Sequence, residues 1–356
     1  MPVPLAAPTE SAVLEALRAV RDPDLHQDIV ALGFVKDLRI CGGNVAFSIE
    51  LTTPACPVKD LMRSQAERAV GTLPGVAEVA VEMTARVTAS RPVLGDKGVI
   101  PGVKNVIAVS SGKGGVGKST VAVNLACALH RAGARVGILD ADVYGPNVPL
   151  MLGLTGQPTV VDKKIVPFER HGLQVMSMAL LVAEDQPVIW RGPMLHSAVR
   201  QFLFDVAWHD LDYLVVDLPP GTGDAQLSLS QQAHLMGAVI VTTPQDVSVL
   251  DVRKAIRMFQ TVNVPILGVV ENMSWFTPPG QTERYFLFGQ GGGQKIEKEF
   301  GVPLLGQIPL EVAVREGGDQ GKPITIANPD SASARALIDI AGKVAQRVSI
   351  LNAESS

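Results

Sequence analysis

A glycine-rich segment with a fixed spacing constrains this chain more than any other feature. Residues 112–119 read Gly-Lys-Gly-Gly-Val-Gly-Lys-Ser, which satisfies the pattern G-x-x-x-x-G-K-[ST]. The apolar stretch Val106–Ser110 precedes the segment, and Ser119–Arg131 follows it with helical periodicity. A strand that turns through glycines into a helix directs backbone N–H groups and the positive end of the helix to one point. The sequence therefore predicts a phosphate-binding loop at the carboxyl end of a strand.

Two side chains of this loop predict a nucleoside triphosphate and a divalent cation as its ligands. Lys118 supplies positive charge to the terminal phosphates, and the Ser119 hydroxyl is a ligand for Mg²⁺. A glycine-rich turn without a ligand would need neither residue. We predict ATP and Mg²⁺ as the cofactors. The predicted nucleotide contacts of the loop are Gly112, Lys113, Gly114, Gly115, Val116, Gly117, Lys118, Ser119 and Thr120.

From Asn105 onward, apolar strands alternate with helical segments. This order predicts an α/β fold with a mostly parallel sheet covered by helices on both faces. Residues 104–350 are expected to form this domain. The helices expected after the first are Leu227–Leu235 and Val249–Gln260. The candidate strands are Val106–Ser110, Arg135–Leu139, Tyr213–Val216, Ala238–Val241 and Ile266–Val270.

The first part of the chain has a different pattern. Residues 8–90 read as helix, hairpin, helix and strand, which predicts a small α+β domain. Residues 91–103 are rich in proline and glycine and are expected to be a linker. The predicted elements of the small domain are helices Ser11–Val20 and Val58–Val70 and strands Val35–Ile40, Val45–Leu51 and Ala77–Val87.

Aspartates follow two of the predicted parallel strands. Asp217 comes after Tyr213–Val216, and Asp140 and Asp142 come after Arg135–Leu139. Ligands of open parallel sheets bind at this edge. We therefore predict Asp217 as a magnesium ligand, Asp140 as part of the metal shell, and Asp142 as the residue that orients the attacking water. The alternatives are a capping role for Asp217 and solvated loop positions for the other two.

Composition limits the partners and the compartment of the chain. A net charge of −4 and an isoelectric point of about 5.9 argue against a nucleic-acid partner. No apolar run approaches the ~20 residues of a membrane-spanning helix, and we expect no stable membrane association. Three scattered cysteines and an N-terminus without a secretory pattern predict a cytoplasmic protein.

Further motifs are similar to those of a known ATPase family. Lys113 resembles the extra lysine of the deviant Walker A ATPases, which include the MinD and ParA positioning proteins and the nitrogenase iron protein. Additional motifs narrow the resemblance to the Mrp/ApbC family of iron–sulfur carrier ATPases, a group of P-loop NTPases. These motifs lie at residues 140–146, 217–224, 271–274 and 288–293.

The resemblance covers about residues 104–345 and implies a homodimer that encloses two ATP molecules. Lys113 would then contact phosphates in the partner's site and act in catalysis with Lys118 and Asp142. A cation supplied by the partner would make hydrolysis depend on dimerisation. Asn272 would recognise the adenine by hydrogen bonding, and its alternative role is to cap a loop.

The first domain resembles the small domain that is fused to many Mrp proteins and that also occurs alone in iron–sulfur assembly factors. The similar segments are Asp22–Leu25, Asp28–Gly33 and Leu51–Pro57. Cys56 precedes a predicted helix, whose N-terminus would lower the thiol pKa and favour a thiolate that binds an iron–sulfur cluster. The alternative is a structural turn cysteine. Cys41 and Cys127 are expected to be packing residues.

One segment departs from the family pattern. Many Mrp-type carriers have a C-x-x-C pair that residues 275–284 lack. We expect an ATP-binding, slowly hydrolysing dimeric switch that acts in iron–sulfur cluster assembly or delivery to apoproteins. A labile iron–sulfur cluster is a further candidate cofactor. The alternatives are a positioning or scaffold ATPase that carries no cluster and an ATP-dependent reductase, which would need a stable one.

Overall fold

The computed structural model describes residues 7–90, 98–142, 145–181 and 192–354. The chain divides into two compact units, Met1–Thr88 and Ala89–Ser356. Residues 91–97 of the predicted linker and the motif residues Val143 and Tyr144 lie outside the described residues. The described part of the linker segment belongs to the second unit, because Ile100 is buried in that unit's core.

The first unit packs two helices on one three-stranded sheet. β2 lies in the centre of this sheet, antiparallel to β1 and parallel to β3. Residues of both helices and of β2 form its apolar core, including Leu17, Ile49 and Met62. The unit is therefore the α+β structure that the sequence predicts. Its elements are α1 Glu10–Leu17, β1 Val35–Cys41, β2 Asn44–Leu51, α2 Lys59–Gly71 and β3 Glu78–Ala85.

The second unit contains the remaining strands and helices of the described residues. Its strands are β4 Val103–Ser111, β5 Val136–Asp140, β6 Val160–Val161, β7 Lys164–Ile165, β8 Phe168–Arg170, β9 Leu173–Ser177, β10 Leu211–Asp217, β11 Gly237–Thr242, β12 Ile266–Glu271 and β13 Leu304–Gln307. Its helices are α3 Lys118–Arg131, α4 Val148–Leu152, α5 Gly192–Phe204, α6 Asp224–Gln232, α7 Asp246–Thr261, α8 Gly292–Phe300, α9 Val312–Asp319, α10 Ile324–Ala327 and α11 Ala332–Glu354.

An eight-stranded sheet organises the second unit, with strand order β13-β12-β11-β4-β10-β5-β9-β8. All neighbouring pairs are parallel except the antiparallel edge pair β8 and β9. Every residue of β10 and β11 is buried, as expected for central parallel strands that are covered on both faces. The register pairs Asp217 with Asp140, so both carboxylates lie at the same edge of the sheet.

Helices cover both faces of this sheet, which confirms the predicted fold class. On one face, α3 packs against α11. On the other face, an apolar cluster joins the strands to Phe202 of α5, Leu229 of α6, Phe259 of α7 and Ile296 of α8. None of the described helices is both long enough and apolar enough to cross a membrane.

Several elements of the second unit are not predicted from the sequence. They include β13, β9 and the antiparallel edge strand β8. These strands are short and lie at or near the sheet edges, where β8, for example, is only partly buried. Their apolar patterns are therefore weaker than those of the central strands.

Phe259 offers a direct test of the packing of α7 on the sheet. Its side chain is fully buried, at 0% exposure. We expect Phe259→Ala to lower the free energy of unfolding of the second unit by about 3–5 kcal/mol, because the substitution leaves a cavity. Urea denaturation followed by circular dichroism measures this change.

The matched control is Phe286→Ala, because Phe286 is 42% exposed. The control should change the free energy of unfolding by less than about 0.5 kcal/mol. Similar losses in the two variants would contradict the packing of α7 described above.

Candidate functional site

The phosphate loop joins β4 to α3 in the way that the sequence predicts. Gly115 and Gly117 have φ angles of +79° and +84°, which other residues rarely adopt. A side chain at Gly117 would also collide with the amide of Asn272. The N-terminus of α3 begins directly after Gly117, at Lys118. The first turn of α3 therefore directs its unpaired N–H groups toward the loop.

Lys118 is the centre of a cluster of buried polar groups beneath the loop. Its Nζ lies 2.7 Å from Asp217 Oδ1 and 3.5 Å from Asp142 Oδ2. The same Nζ lies 3.2 Å from the Ser119 hydroxyl. Lys118 is only 7% exposed. The structure thus brings together four of the residues that the sequence singled out, on two strand ends and one helix N-terminus.

Asp217 has an oxygen that fits a magnesium ligand. Oδ2 is buried, and no hydrogen-bond partner reaches it in the described structure. Burial raises the pKa of this carboxyl group, and the neighbouring Lys118 opposes the rise. A buried carboxylate oxygen without a donor is unfavourable unless a cation compensates it. Together with the Ser119 hydroxyl, it forms the hard oxygen set that Mg²⁺ prefers.

This oxygen set is small. The described residues contain no group of three or more His, Cys, Asp and Glu side chains arranged to hold a metal by themselves. Magnesium in nucleotide sites is commonly bound by one or two protein ligands together with the substrate phosphates. The arrangement around Asp217 therefore suits a magnesium ion that arrives with a nucleotide.

Asp140 uses its carboxylate to hold the chain beside the site. Its Oδ1 accepts a hydrogen bond from the Asp142 backbone N–H at 3.1 Å. Its Oδ2 accepts from the Val148 N–H at 3.2 Å and from the Ser177 hydroxyl at 3.0 Å. Burial, followed by repulsion from Asp217, raises the pKa of Asp140 to about 8. Its predicted place in the magnesium shell stays a prediction.

Asp142 faces the same cluster from the loop after β5. Besides the contact with Lys118, its Oδ1 accepts a hydrogen bond from the Gly145 N–H at 3.2 Å. The side chain is buried, at 6% exposure. The alternative that Asp140 and Asp142 are solvated loop acids is wrong, because both carboxylates are buried and hydrogen-bonded.

Lys113 lies at the other end of the loop, away from the Lys118 cluster. Its Nζ donates to the side-chain oxygen of Gln245 at 3.3 Å, just before α7 begins. Its backbone carbonyl accepts a hydrogen bond from the Ser111 hydroxyl at 2.9 Å. The role of Lys113 in a partner's site stays a prediction.

Asn272 connects the end of β12 to the phosphate loop. Its side-chain Nδ2 donates to the Val116 carbonyl at 2.9 Å, and its backbone N–H donates to Thr242 at 2.8 Å. Asn272 and Gly117 both line a cavity of about 280 Å³. Recognition of adenine by Asn272 stays a prediction.

Most of the groups around this cavity and around Asp140 carry no recognisable signal in the sequence. Val148 and Ser177 bind Asp140 from α4 and β9, and no motif marks them. The far wall of the cavity comes from residues that are distant in sequence. These residues include Met151, Met273, Pro309, Leu310, Val314 and Leu337.

The structure corrects the prediction of a thiolate at Cys56. Burial raises the thiol pKa above its ordinary value, and the negative charges of Asp22 and Asp24 raise it further. A backbone hydrogen bond at Val58 and the nearby Lys59 lower it, but burial is the larger effect. The helix N-terminus therefore does not make this cysteine a thiolate at neutral pH.

The other two cysteines divide between surface and core. Cys41 is exposed, so its expected role as a packing residue is wrong, whereas Cys127 is buried as expected. Burial raises the pKa of Cys127 to about 12. The buried thiol is therefore chemically inert at physiological pH.

Two family models match the chain in its two units. A model described as a NUBPL iron-transfer P-loop NTPase, of the ParA type, matches residues 102–345. A model described as an iron-sulfur cluster assembly protein matches residues 10–82. The two matches confirm the family resemblance that the sequence motifs indicate.

Individual relatives extend over almost the whole chain. The iron-sulfur cluster carrier protein of Synechocystis sp. is 54% identical over 348 residues, which are 96% of this chain and 98% of that protein. The iron-sulfur cluster carrier protein of Deinococcus radiodurans is 51% identical over 343 residues, 95% of each chain. Among solved structures, the nucleotide-binding protein of Archaeoglobus fulgidus in complex with ADP matches with a TM-score of 0.58 and 39% identity. This match covers 65% of this chain and 91% of that chain.

The raised pKa of Cys56 predicts slow, strongly pH-dependent alkylation. Only the thiolate reacts with iodoacetamide. Because the pKa of the Cys56 thiol is raised by burial, the thiol is protonated at neutral pH, and the rate at Cys56 should rise about tenfold per pH unit between pH 7 and pH 8. Mass spectrometry of the Cys56 peptide after timed alkylation measures the rate, with Cys127 as the inert internal control. A rate at Cys56 that is already maximal at pH 7 would show that the thiol is ionised at neutral pH and would contradict the raised pKa.

Proposed function

The chain belongs to the family of NUBPL-type iron-transfer P-loop NTPases, and on this basis we propose that it binds and slowly hydrolyses ATP as a dimeric switch in the cytoplasm. We further propose that this switch acts in the assembly of iron–sulfur clusters or in their delivery to apoproteins. The observation that carries the proposal is the buried cluster of Lys118, Ser119, Asp142 and Asp217 at the phosphate loop.

The residues of the cluster have separate tasks in this proposal. The loop N–H groups and the α3 N-terminus bind the phosphates, and Lys118 moves its charge from the carboxylates to the β- and γ-phosphates. Ser119 and Asp217 would hold Mg²⁺, which when bound supplies positive charge to the same phosphates. Asp142 orients the attacking water, since it lies on the neighbouring strand end within 3.5 Å of Lys118.

The cavity beside the loop supports a nucleoside ligand. Its walls are mostly apolar, and Gly117 and Thr120 of the phosphate loop and α3 are among the residues that line it. Apolar walls with a few polar groups are typical of sites for small organic ligands. Asn272 and Asn147 are among the polar residues that line it. The ADP in the similar Archaeoglobus fulgidus protein supports an adenine nucleotide here.

Lys113 is the residue that would make hydrolysis depend on a second subunit. Within one chain its ammonium group contacts Gln245 and not the Lys118 cluster. A cation supplied by a partner stabilises charge on the transferred phosphoryl group, as arginine fingers do. In this proposal, Lys113 leaves Gln245 in the dimer and contacts the phosphates in the partner's site.

In this proposal, iron–sulfur clusters are the cargo that the protein binds and transfers. The names of the Synechocystis and Deinococcus relatives describe iron-sulfur cluster carriers, and the match of residues 10–82 is to an assembly protein. Thiolates are the usual cluster ligands. Because Cys127 is buried, the thiols that could bind a labile cluster are Cys56 and Cys41.

A second candidate is a scaffold or positioning ATPase of the same fold that carries no cluster. Two observations favour it. Residues 275–284 contain no cysteine, and the pKa of Cys56 is raised. In this alternative the ATP cycle controls attachment to another protein, and the chain itself binds no iron–sulfur cluster.

The two lysines of the loop should respond differently to substitution. We expect Lys118→Ala to reduce ATP turnover by about 100-fold or more. The substitution removes the positive charge that would stabilise the terminal phosphates during hydrolysis. Lys113→Ala should reduce turnover while nucleotide affinity of the monomer stays within about threefold. Phosphate release and fluorescence titration with a labelled ATP measure the two effects.

Lys298→Ala is the control, because Lys298 is an exposed lysine of α8. Normal turnover by Lys113→Ala would refute the contribution of this lysine across subunits. Normal nucleotide binding by Lys118→Ala would refute the proposed phosphate site.

Anaerobic reconstitution with iron and sulfide distinguishes the carrier from the scaffold. For a carrier we expect wild type to bind iron and acid-labile sulfide and Cys56→Ser to bind about half as much or less, since a lost thiolate is not replaced by a hydroxyl. Cys127→Ala is the control, because its thiol is buried. Equal iron content and equal spectra in wild type and Cys56→Ser would remove Cys56 as a ligand, and an absence of iron in wild type would favour the scaffold.

A further inference from the structure

Another cavity lies at the opposite edge of the large sheet from the phosphate loop. It has a volume of about 620 Å³, and residues at the start of three strands line it, namely Val136 of β5, Leu173 of β9 and Leu211 of β10. His130, near the end of α3, lines it as well. Because α3 has 14 residues, its axis spans about 20 Å between the loop and this cavity.

Basic side chains surround this cavity, which we call the histidine cavity. Three of the six histidines of the chain line it together with two arginines. These are His130, His171, His209, Arg135 and Arg170. The volume falls within the range of sites for small organic ligands, about 300–1,000 Å³. The histidine cavity is separate from the cavity beside the phosphate loop, because the two share no lining residue within the described part of the chain.

The turn between β8 and β9 carries two of these basic groups. Arg170 pairs with Leu173 in the register, so His171 and Gly172 form a two-residue hairpin turn. Both have positive φ angles, +51° and +75°, as in the preferred hairpin turns of this length. A side chain at Gly172 would collide with the ring of His130. The ring of His130 therefore lies directly against the turn that carries Arg170 and His171.

His209 is held in place through its backbone. The side chain of Gln174, in β9, accepts a hydrogen bond from the His209 N–H at 3.0 Å and donates one to the His209 carbonyl at 2.9 Å. These two bonds fix the segment before β10 against β9. They use no atom of the His209 imidazole, which can therefore serve a ligand of the cavity.

Backbone carbonyls anchor the other two imidazoles. His130 Nδ1 lies 3.2 Å from the Ala134 carbonyl, and His171 Nε2 lies 3.0 Å from the Gly321 carbonyl. Because a carbonyl oxygen only accepts, these two ring nitrogens carry the hydrogen. The second nitrogen of a neutral ring is an acceptor, and it becomes a donor when the ring takes up a proton. Each protonated ring can therefore offer an anion both a donor and a positive charge.

The positive charge of Arg170 is not compensated by an ion pair. Arg135 is paired with Asp210. Arg170 instead donates from Nε to the Leu152 carbonyl at 3.1 Å, and none of the described carboxylates forms an ion pair with it. Glu169 also lines the cavity, but it precedes Arg170 on β8, and successive side chains of a strand point to opposite faces. The remaining N–H groups of Arg170 are therefore available to a ligand.

We propose that the histidine cavity binds a small anion that carries several carboxylate or phosphate groups. The guanidinium of Arg170 matches either group with two parallel hydrogen bonds. The imidazoles of His130, His171 and His209 take up protons as the anion binds and contribute further N–H donors. Because protonated rings attract the anion, its affinity rises as the pH falls.

The test follows the imidazole signals of the full-length protein by ¹H–¹⁵N NMR. The probes are propane-1,2,3-tricarboxylate and inorganic phosphate, and the probe that binds more tightly identifies the preferred group. We expect at least one probe to shift the signals of His130, His171 and His209 to saturation, while those of His26 and His234 stay in place. The affinity at pH 6 should exceed the affinity at pH 8 by about threefold or more.

Two variants remove the proposed contacts one at a time. Arg170→Gln removes the uncompensated charge and should weaken binding of the tighter probe by about tenfold or more. His171→Asn should weaken it by about threefold or more, and it preserves the turn because Asn-Gly is the preferred sequence of such turns. Arg257→Gln is the matched control, because Arg257 is an exposed arginine of α7, and it should bind the probe like wild type.

The outcomes decide for or against the anion site. A saturating shift that both cavity variants weaken supports it. The absence of a saturating shift with both probes overturns it. Equal shifts with sodium chloride at the same ionic strength also overturn it, because they would reflect screening of charges rather than binding. Equal affinity of wild type and both cavity variants, or equal affinity at the two pH values, contradicts the proposed contacts. The proposed ATPase is unaffected by any of these results, because its residues lie at the other edge of the sheet.

Discussion

The site depends on how one lysine compensates several buried carboxylates. Asp140 and Asp217 are completely buried at neighbouring strand ends, Asp142 is nearly so, and Lys118 lies between Asp217 and Asp142. Buried charges are unfavourable unless they are paired and hydrogen-bonded. The cluster is therefore balanced only while Lys118 stays with its carboxylates. Phosphates that attract Lys118 leave negative charge behind, which a magnesium ion at Asp217 would compensate.

The sequence predicts this cluster well because its parts are set by local rules. A glycine spacing between a strand and a helix defines the loop, and the positive φ angles of Gly115 and Gly117 follow from it. Asp140 and Asp217 each end an apolar strand, and parallel strands bring such ends to one edge. The register pairs these two residues directly, which agrees with that rule.

Other features depend on contacts that no local pattern encodes. The walls of the cavity beside the loop come from residues around 150, 273 and 310, which are distant in sequence and meet only in the folded domain. The groups that donate hydrogen bonds to Asp140 Oδ2 also come from distant parts of the chain, α4 and β9. Cys56 shows the limit most clearly. Its position before a helix suggests a thiolate, but burial beside Asp22 and Asp24 raises its pKa instead.

The most direct test of the account is a crystal structure of the protein with Mn²⁺ and a hydrolysis-resistant ATP analogue. Manganese gives an anomalous signal that locates the ion independently of the protein model. We predict a manganese peak next to the Ser119 hydroxyl and on the Asp217 side of the phosphates, with the triphosphate in the loop of residues 112–119. A fully occupied nucleotide elsewhere, or a manganese peak remote from Ser119 and Asp217, would contradict the central claim.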